Sequence, residues 1–276
     1  MSDNSTATVL GTIGTVLWCI QLLPQIYQNY RRKSTDGLPT SMMLLWAAAG
    51  VFFGMYFIAQ SSNTALQVQP QIFTALCLFT WCQCLYYAHR FPVWKAAVAY
   101  LAAAAVCAGL QVAAAVPIRD SDLYKSNPSP YCWPILMIGV FAALCLIGGL
   151  IPPYFELAKQ HGRVVGLSLI FLCIDSSGAI FSFASLWFPQ TKADGEEEDR
   201  DYLGMVLYLI VPAMEFGIVL SHFTWWFRYG RHGLYNDDQE SVEEKEKELE
   251  LSSQSSLSRI ESRTTARSST DAADSV

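Results

Sequence analysis

Apolar residues dominate seven stretches of the chain, each about long enough to cross a bilayer as a helix. The stretches cover about residues 8–29, 41–60, 68–88, 94–116, 131–155, 166–188 and 203–227. A spanning helix needs roughly 20 mostly apolar residues, because its length must match the hydrocarbon core of the membrane. The pattern therefore predicts an all-α membrane protein with seven transmembrane helices.

The first and fifth stretches end in related motifs. The first motif contains Pro24-Gln25 and the second contains Pro152-Pro153, and each precedes basic residues and a new apolar stretch. Such a repeat indicates two homologous bundles, and an odd linker helix gives both bundles the same orientation. The sequence therefore predicts two parallel three-helix bundles joined by a linker helix, a 3+1+3 arrangement.

The repeat divides the chain into four predicted parts. These are the first bundle (1–90), the linker helix with a lumenal loop (91–130), the second bundle (131–235) and a cytosolic tail (236–276). The tail is rich in Ser and Glu, and its 11 acidic and 5 basic residues account for the whole net charge of −6. Segments of this composition cannot bury enough apolar surface to fold, so we expect the tail to be disordered.

Basic residues are distributed unequally between the two sides of the predicted membrane. Alternate loops carry nine Lys and Arg residues, whereas the opposite loops carry four. Basic loops stay on the cytosolic side. The bias predicts a lumenal or external N-terminus and a cytosolic tail.

Two carboxyl groups are predicted to lie at membrane depth. Asp175 is in the middle of the sixth stretch, directly before Ser176 and Ser177, and Glu215 is in the middle of the seventh. Acidic side chains in membrane helices are costly and typically mark pathways or proton relays, and burial favours the neutral form of a carboxyl. We predict both acids as proton-coupling residues, with hydrogen bonding between helices as the alternative role.

The repeat also points to a site of divergence. When Gly37 is aligned with Gly166, Trp46 aligns with Asp175, so the two copies differ where a functional group is expected. We therefore place Trp46 among the substrate-pathway candidates. The other candidates are polar side chains of the predicted spans, which could instead form interhelical contacts: Gln21, Gln83, Gln111, Ser176 and Ser177.

The prolines have a mechanical interpretation. Proline removes a backbone donor and bends a helix, so the repeated motifs Pro24-Gln25 and Pro152-Pro153 are predicted hinges at the cytosolic end of each bundle. Static kinks, which membrane helices tolerate, are the alternative.

Several classes of protein and site lack support in the sequence. The Cys-x-Cys pair at residues 82–84 has the wrong spacing for a zinc or redox site, and no HExxH, GxSxG or paired catalytic aspartate motif is present. We predict no catalytic residue, no metal, no cofactor and no nucleic-acid partner.

Residues 18–58 and 145–187 resemble the PQ-loop repeat family, which includes cystinosin and the lysosomal and vacuolar cationic amino acid exporters. The first copy is similar to the family motif throughout residues 23–37, whereas the second has Pro153 in place of the glutamine. The resemblance implies a proton-coupled transporter, with Asp175 in the position of the family's coupling aspartate.

We therefore expect transport of a small solute, an amino acid above all, out of an acidic compartment such as a vacuole or lysosome. The expected partners are the solute, protons and lipid, with sorting or regulatory proteins on the tail. A seven-span receptor or trafficking factor of the same fold is the alternative.

Overall fold

The computed structural model describes residues 2–60, 64–126, 132–188, 202, 205–206 and 208–229, and these form helices and short connections without a strand. The helices are α1 (Ser2–Ile20), α2 (Leu23–Arg32), α3 (Thr40–Ala59), α4 (Thr64–Tyr87), α5 (Val93–Asp120), α6 (Asp122–Ser126), α7 (Trp133–Lys159), α8 (Leu169–Trp187) and α9 (Tyr208–Tyr229). The predicted tail, residues 236–276, lies outside the described residues.

Within the described ranges, six helical segments are long and apolar enough to cross a membrane. They are Thr6–Arg32, Thr40–Ala59, Val93–Asp120, Trp133–Lys159, Leu169–Trp187 and Tyr208–Tyr229. The predicted third stretch forms α4, which is 24 residues long but begins with several polar residues, including Gln67, Gln69 and Gln71. The prediction of an all-α, multi-pass membrane protein is confirmed, while the 3+1+3 arrangement stays a prediction.

The helices pack in a pattern that reflects the repeat. Helix α1 packs against α8, and α3 packs against α7. In the repeat, α1 corresponds to α7 and α3 corresponds to α8, so the two contacts are equivalent. Helix α3 also contacts α4 and α5, and its residue Trp46 is fully buried in the apolar core.

The two proline motifs have different local structures. Helix α1 ends at Ile20, and α2 begins at Leu23 with Pro24 in its first turn, where a missing backbone N–H costs nothing. Helix α7, by contrast, runs through Pro152 and Pro153 as far as Lys159. The first membrane segment is therefore broken at its motif, whereas the second is continuous.

The chain divides into two compact units. The first covers Met1–Thr224 and contains the core described above. The second covers Trp225–Val276, of which the structure describes residues 225–229 as helical.

Candidate functional site

A small cavity lies between the helices, and its lining includes one carboxyl group. We call it the inner cavity; its volume is about 30 Å³. Its lining comes from six helices and the turn before α2: Trp18, Gln21, Phe53, Phe57, Gln69, Pro70, Phe73, Leu146, Asp175 and Tyr208. Aromatic rings thus surround Asp175, with the amides of Gln21 and Gln69 as its polar neighbours in the lining.

Asp175 and Glu215, the two acids predicted from the sequence, are brought together. Asp175 on α8 is 3% exposed, and Glu215 on α9 is fully buried. The two carboxyl groups interact electrostatically, the hydroxyl of Ser176 donates to Oε2 of Glu215 at 2.6 Å, and Oε1 of Glu215 is buried without a hydrogen-bond partner among the described residues. Two carboxylates close together in an apolar interior repel each other, so a proton on one of them stabilises the pair.

Gln21 contributes an unpaired acceptor to the same cavity. Its side chain is 2% exposed, and its Oε1 atom is buried without a hydrogen-bond partner among the described residues. An unpaired buried acceptor costs about 1–3 kcal/mol. The Gln21 position is therefore complementary to a donor that enters the cavity.

Two tryptophans hold the crossing helices at equivalent places in the two copies. The indole N–H of Trp18 donates to the backbone oxygen of Asp175 at 3.3 Å, and that of Trp46 donates to the backbone oxygen of Leu146 at 3.0 Å. Trp46 aligns with Asp175, and Trp18 aligns with Leu146 when the proline motifs are superposed. The two hydrogen bonds therefore join equivalent pairs of positions, one between α1 and α8 and the other between α3 and α7. In both cases the tryptophan comes from the first repeat and the backbone oxygen from the second.

Each indole lies against a glycine of the facing helix. A β-carbon on Gly149 would overlap the indole of Trp46, and one on Gly178 would overlap the indole of Trp18. Both glycines are needed for these close crossings. Trp46 therefore fixes the contact between α3 and α7, with its ring outside the lining of the inner cavity.

A larger cavity adjoins the inner one at the predicted lumenal end. We call it the outer cavity; its volume is about 330 Å³. It is lined by the start of α1, the end of α8 and the starts of α4 and α9: Ala7, Thr8, Gly11, Thr12, Thr15, Val16, Leu66, Gln69, Ser182, Ser185, Leu186 and Tyr208. Gln69 and Tyr208 line both cavities and therefore stand between them.

The amide of Gln25 joins the two repeats at the predicted cytosolic end. It is fully buried, its Nε2 donates to the backbone oxygen of Gly166 at 3.0 Å and to Oδ1 of Asn29 at 2.9 Å, and its Oε1 accepts from the backbone N–H of Ser168 at 2.7 Å. Arg32 also donates to the backbone oxygen of Val165. We call this set of bonds the Gln25 latch, since it ties α2 to the segment that precedes α8.

The second repeat cannot form the equivalent latch. Pro153 stands where the first copy has Gln25, and Pro39 stands where the second copy has Ser168. Pro153 has no side-chain amide to donate or accept, and Pro39 has no backbone N–H to offer. The second repeat thus lacks the side-chain amide, and the first repeat lacks the backbone N–H that such an amide would bind. Only Gln25 of the first repeat forms a latch, which we therefore call one-sided.

The remaining predicted residues lie at helix contacts. Gln83 accepts from Asn29 at 2.9 Å and donates to the backbone oxygen of Ile26 at 3.2 Å, so it supports the Gln25 latch. Gln111 on α5 is 3% exposed and lies against Gly54 of α3. Ser177 donates to the backbone oxygen one turn back in its own helix.

A histidine lies further along α9 toward the cytosolic end. The backbone N–H of Val164 donates to Nδ1 of His222 at 3.2 Å, and Ser221 donates to the backbone oxygen of Gly162 at 3.3 Å. These bonds attach α9 to the same connection that the Gln25 latch holds. The residues before α8 are therefore held from two sides.

Sequence patterns did not indicate several residues of the cavities and the latch. Trp18, Gln69 and Tyr208 line the inner cavity, and Asn29 and Ser168 complete the latch. Asn29 follows Gln25 by four residues and so shares its helix face, a spacing that could have predicted their contact. The other contacts join distant parts of the chain and carry no local signal.

The described side chains include no group of three or more His, Cys, Asp or Glu residues that could hold a metal ion. The polar chemistry of the two cavities therefore rests on carboxyl, amide, hydroxyl and aromatic groups.

Comparison with known proteins places these features in a family. The family model of the PQ loop repeat matches residues 6–66. An uncharacterized membrane protein of Saccharomyces cerevisiae is 39% identical over 250 residues, which is 89% of this chain and 76% of the yeast protein. The chain belongs to the PQ-loop repeat family. The resemblance stated from the motifs is thus confirmed.

Two other yeast members of the PQ-loop family have assigned activities. The vacuolar lysine transporter YPQ1 is 31% identical over 87 residues, 32% of this chain and 28% of the transporter. The vacuolar histidine transporter YPQ3 is 30% identical over 87 residues, 32% of this chain and 29% of the transporter. Both names describe transporters and neither describes an enzyme.

Proposed function

We propose that this PQ-loop protein carries an amino acid across a vacuolar or lysosomal membrane and that Asp175 couples this transport to protons. The observation that carries the proposal is the pair of acceptors in the inner cavity. The carboxyl of Asp175 and the unpaired Oε1 of Gln21 line one buried space. A buried acceptor is stabilised by a donor, and the protonated amino group of an amino acid supplies three.

The two named relatives support the class of substrate and the compartment. They are vacuolar transporters of lysine and of histidine, both of which are amino acids with a basic side chain. A vacuolar membrane separates an acidic lumen from a neutral cytosol, so a gradient of protons is present to drive export.

The pair of acids supplies a means of coupling. With one proton on the two acids the pair carries a charge of −1, whereas loss of that proton leaves two neighbouring carboxylates and a charge of −2. We propose that Asp175 takes up a proton from the acidic side and releases it on the neutral side. Glu215 is proposed as a secondary group, because it is not among the residues that line the inner cavity, whereas Asp175 is.

Transport requires the inner cavity to enlarge. A volume of about 30 Å³ accommodates about one water molecule, far less than an amino acid. We propose that the two three-helix bundles, 1–90 and 131–235, move against each other around the linker. The break before Pro24 and the motif Pro152-Pro153 are the proposed hinges, and Pro24 has the greater freedom since its helix is already interrupted.

Replacement of Asp175 by Asn tests the proposal. The full-length protein is reconstituted in vesicles that are acidic on the lumenal face, and uptake of labelled lysine and histidine is followed as the pH gradient is varied. Asp175→Asn keeps the shape of the side chain but cannot titrate, so we expect pH-driven flux to fall by at least about tenfold, with weak exchange retained. Glu215→Gln should have a smaller effect.

Glu156→Gln is the matched control, because Glu156 is a half-exposed acid of α7 that pairs with Lys159 on the surface. It should leave flux unchanged. If Asp175→Asn is folded and correctly inserted but shows the flux and pH dependence of the wild type, the assignment of Asp175 is wrong. If the wild type carries neither amino acid, the proposed substrates are wrong.

A further inference from the structure

The connection between α7 and α8, residues 160–168, is attached to its neighbours by two kinds of side chain. The Gln25 latch holds the end nearest α8, through a side-chain amide. Helix α9 holds the middle, where the backbone N–H of Val164 donates to Nδ1 of His222 at 3.2 Å. An amide side chain keeps its charge at all pH values of interest, whereas a histidine changes its charge between about pH 5 and about pH 8. The two attachments therefore differ in their response to protons.

The bond from Val164 determines which nitrogen of the His222 ring carries a proton. A backbone N–H can only donate, so the ring nitrogen that faces it must accept and has no proton of its own. The neutral ring with its proton on Nε2 meets this requirement. The protonated ring has an N–H on both nitrogens, so it would set one donor against another. The bond to Val164 therefore forms only with neutral His222.

The charges around His222 add to this effect. Arg163 directly precedes Val164, and it lies close enough for its positive charge to act on the His222 ring. On α9 itself, Glu215 lies seven residues before His222, about 10 Å along the helix axis. Glu156 of α7 lines a small cavity with Arg163, but it is paired with Lys159 at 2.7 Å. A protonated His222 is thus repelled by Arg163, which belongs to the segment that the bond holds.

We infer that His222 is a pH-sensitive fastening, which holds the middle of the α7–α8 connection when its ring is neutral and releases it when the ring is protonated. The Gln25 latch and the bond from Ser221 to the backbone oxygen of Gly162, at 3.3 Å, involve no titrating group and remain. Acidification at the predicted cytosolic end therefore loosens one attachment of the connection and leaves the others. The inference concerns the connection itself and does not depend on the proposed function.

Hydrogen–deuterium exchange of the full-length protein in lipid nanodiscs tests the His222 fastening at about pH 8 and about pH 5, on either side of the range in which histidine titrates. Protection of the Val164 amide is compared after correction for the effect of pH on the chemical rate of exchange. We expect protection to fall by about tenfold at the lower pH, the effect of about one hydrogen bond. The Ser168 amide, which Gln25 holds, should keep its protection and is the internal reference.

Two substitutions separate the acceptor on His222 from its charge. His222→Asn keeps an acceptor near the position of Nδ1 but cannot titrate, so the Val164 amide should stay protected at both pH values. His222→Phe keeps a ring without an acceptor, so protection should be about tenfold lower than in the wild type at the higher pH, and independent of pH. His161→Asn is the matched control, because it removes another histidine of the same connection that takes no part in the bond to Val164. It should keep the pH dependence of the wild type.

The outcomes separate His222 from the other titrating groups and from transport. Equal protection of Val164 at the two pH values in the wild type would overturn the fastening. A fall in His222→Asn as large as in the wild type would also overturn it and would assign the effect to another group, such as Glu215. Full protection of Val164 in His222→Phe, or an equal fall at Ser168, would show that this bond does not hold the connection. Because none of these measurements uses transport, failure of the proposed function would leave the fastening intact.

Discussion

Replacement of Gln25 by Met removes the one-sided latch while keeping the length of the side chain. The substitution leaves two backbone groups in the buried segment before α8, the oxygen of Gly166 and the N–H of Ser168, without their partners on Gln25. The N–H of Ser168 then has no partner and the oxygen of Gly166 keeps only the longer bond from Gln28 at 3.4 Å, so a loss of about 3 kcal/mol is expected for the two groups together. This corresponds to a factor of about 100 in the equilibrium between latched and open forms.

Hydrogen–deuterium exchange of the protein in nanodiscs measures this change at the bond itself. The Ser168 amide is protected by Gln25, so a peptide that contains residues 163–168 should exchange about 100-fold faster in Gln25→Met. Gln28→Met is the control. The Gln28 amide reaches the same backbone oxygen of Gly166 at 3.4 Å but leaves the acceptor of Ser168 in place.

Two results would refute this reasoning. If Gln25→Met is folded and its 163–168 peptide exchanges at the wild-type rate, the latch does not hold the segment closed. If Gln28→Met accelerates exchange as much as Gln25→Met does, the effect comes from general loosening of α2 and not from the Gln25 amide.

Three further predictions concern packing, the hinge and the topology. Gly149→Ala should lower the free energy of unfolding by about 1–3 kcal/mol, because the added β-carbon overlaps the indole of Trp46. Gly148→Ala is the control, since a β-carbon at Gly148 meets open space. Equal thermal unfolding of the two variants would contradict the close crossing of α3 and α7. Pro24→Ala should leave the protein folded but slow transport, because α1 and α2 can then join into one helix; unchanged turnover at normal abundance would make Pro24 a static break. An epitope on the tail, 236–276, should be accessible once the plasma membrane alone is permeabilised, and its protection until internal membranes are opened would reverse the predicted orientation.

The hydrophobic pattern predicted the helices well because membrane spans are determined locally, by length and composition. Helix α4 shows where this signal weakens, since Gln67, Gln69 and Gln71 lower its hydropathy although it is 24 residues long. One of these polar residues, Gln69, borders both cavities. A glutamine that makes α4 harder to recognise as a membrane helix is thus also a residue of the candidate site.

The candidate site was predicted only in part. The sequence indicated Asp175 and Glu215 separately, because an acid in an apolar stretch stands out, but their contact depends on how α8 and α9 pack. The motif suggested a hinge because proline dominates its chemistry, whereas the structure adds a separate role for the adjacent Gln25 as a bridge between repeats. Gln111, chosen for its polarity, lies against Gly54, a contact that no local pattern could reveal.

The matched losses at Pro153 and Pro39 have a consequence for the symmetry of the repeat. A single substitution that restored glutamine at position 153 would introduce a buried amide with no N–H at position 39 to receive its oxygen, and replacement of Pro39 alone would expose an N–H with no acceptor at 153. A second latch equivalent to the Gln25 latch therefore requires changes at both positions. A chimaera built by placing the first repeat in both halves would carry a glutamine and a proline in each half, so each glutamine would need an N–H donor in place of the proline in the opposite half.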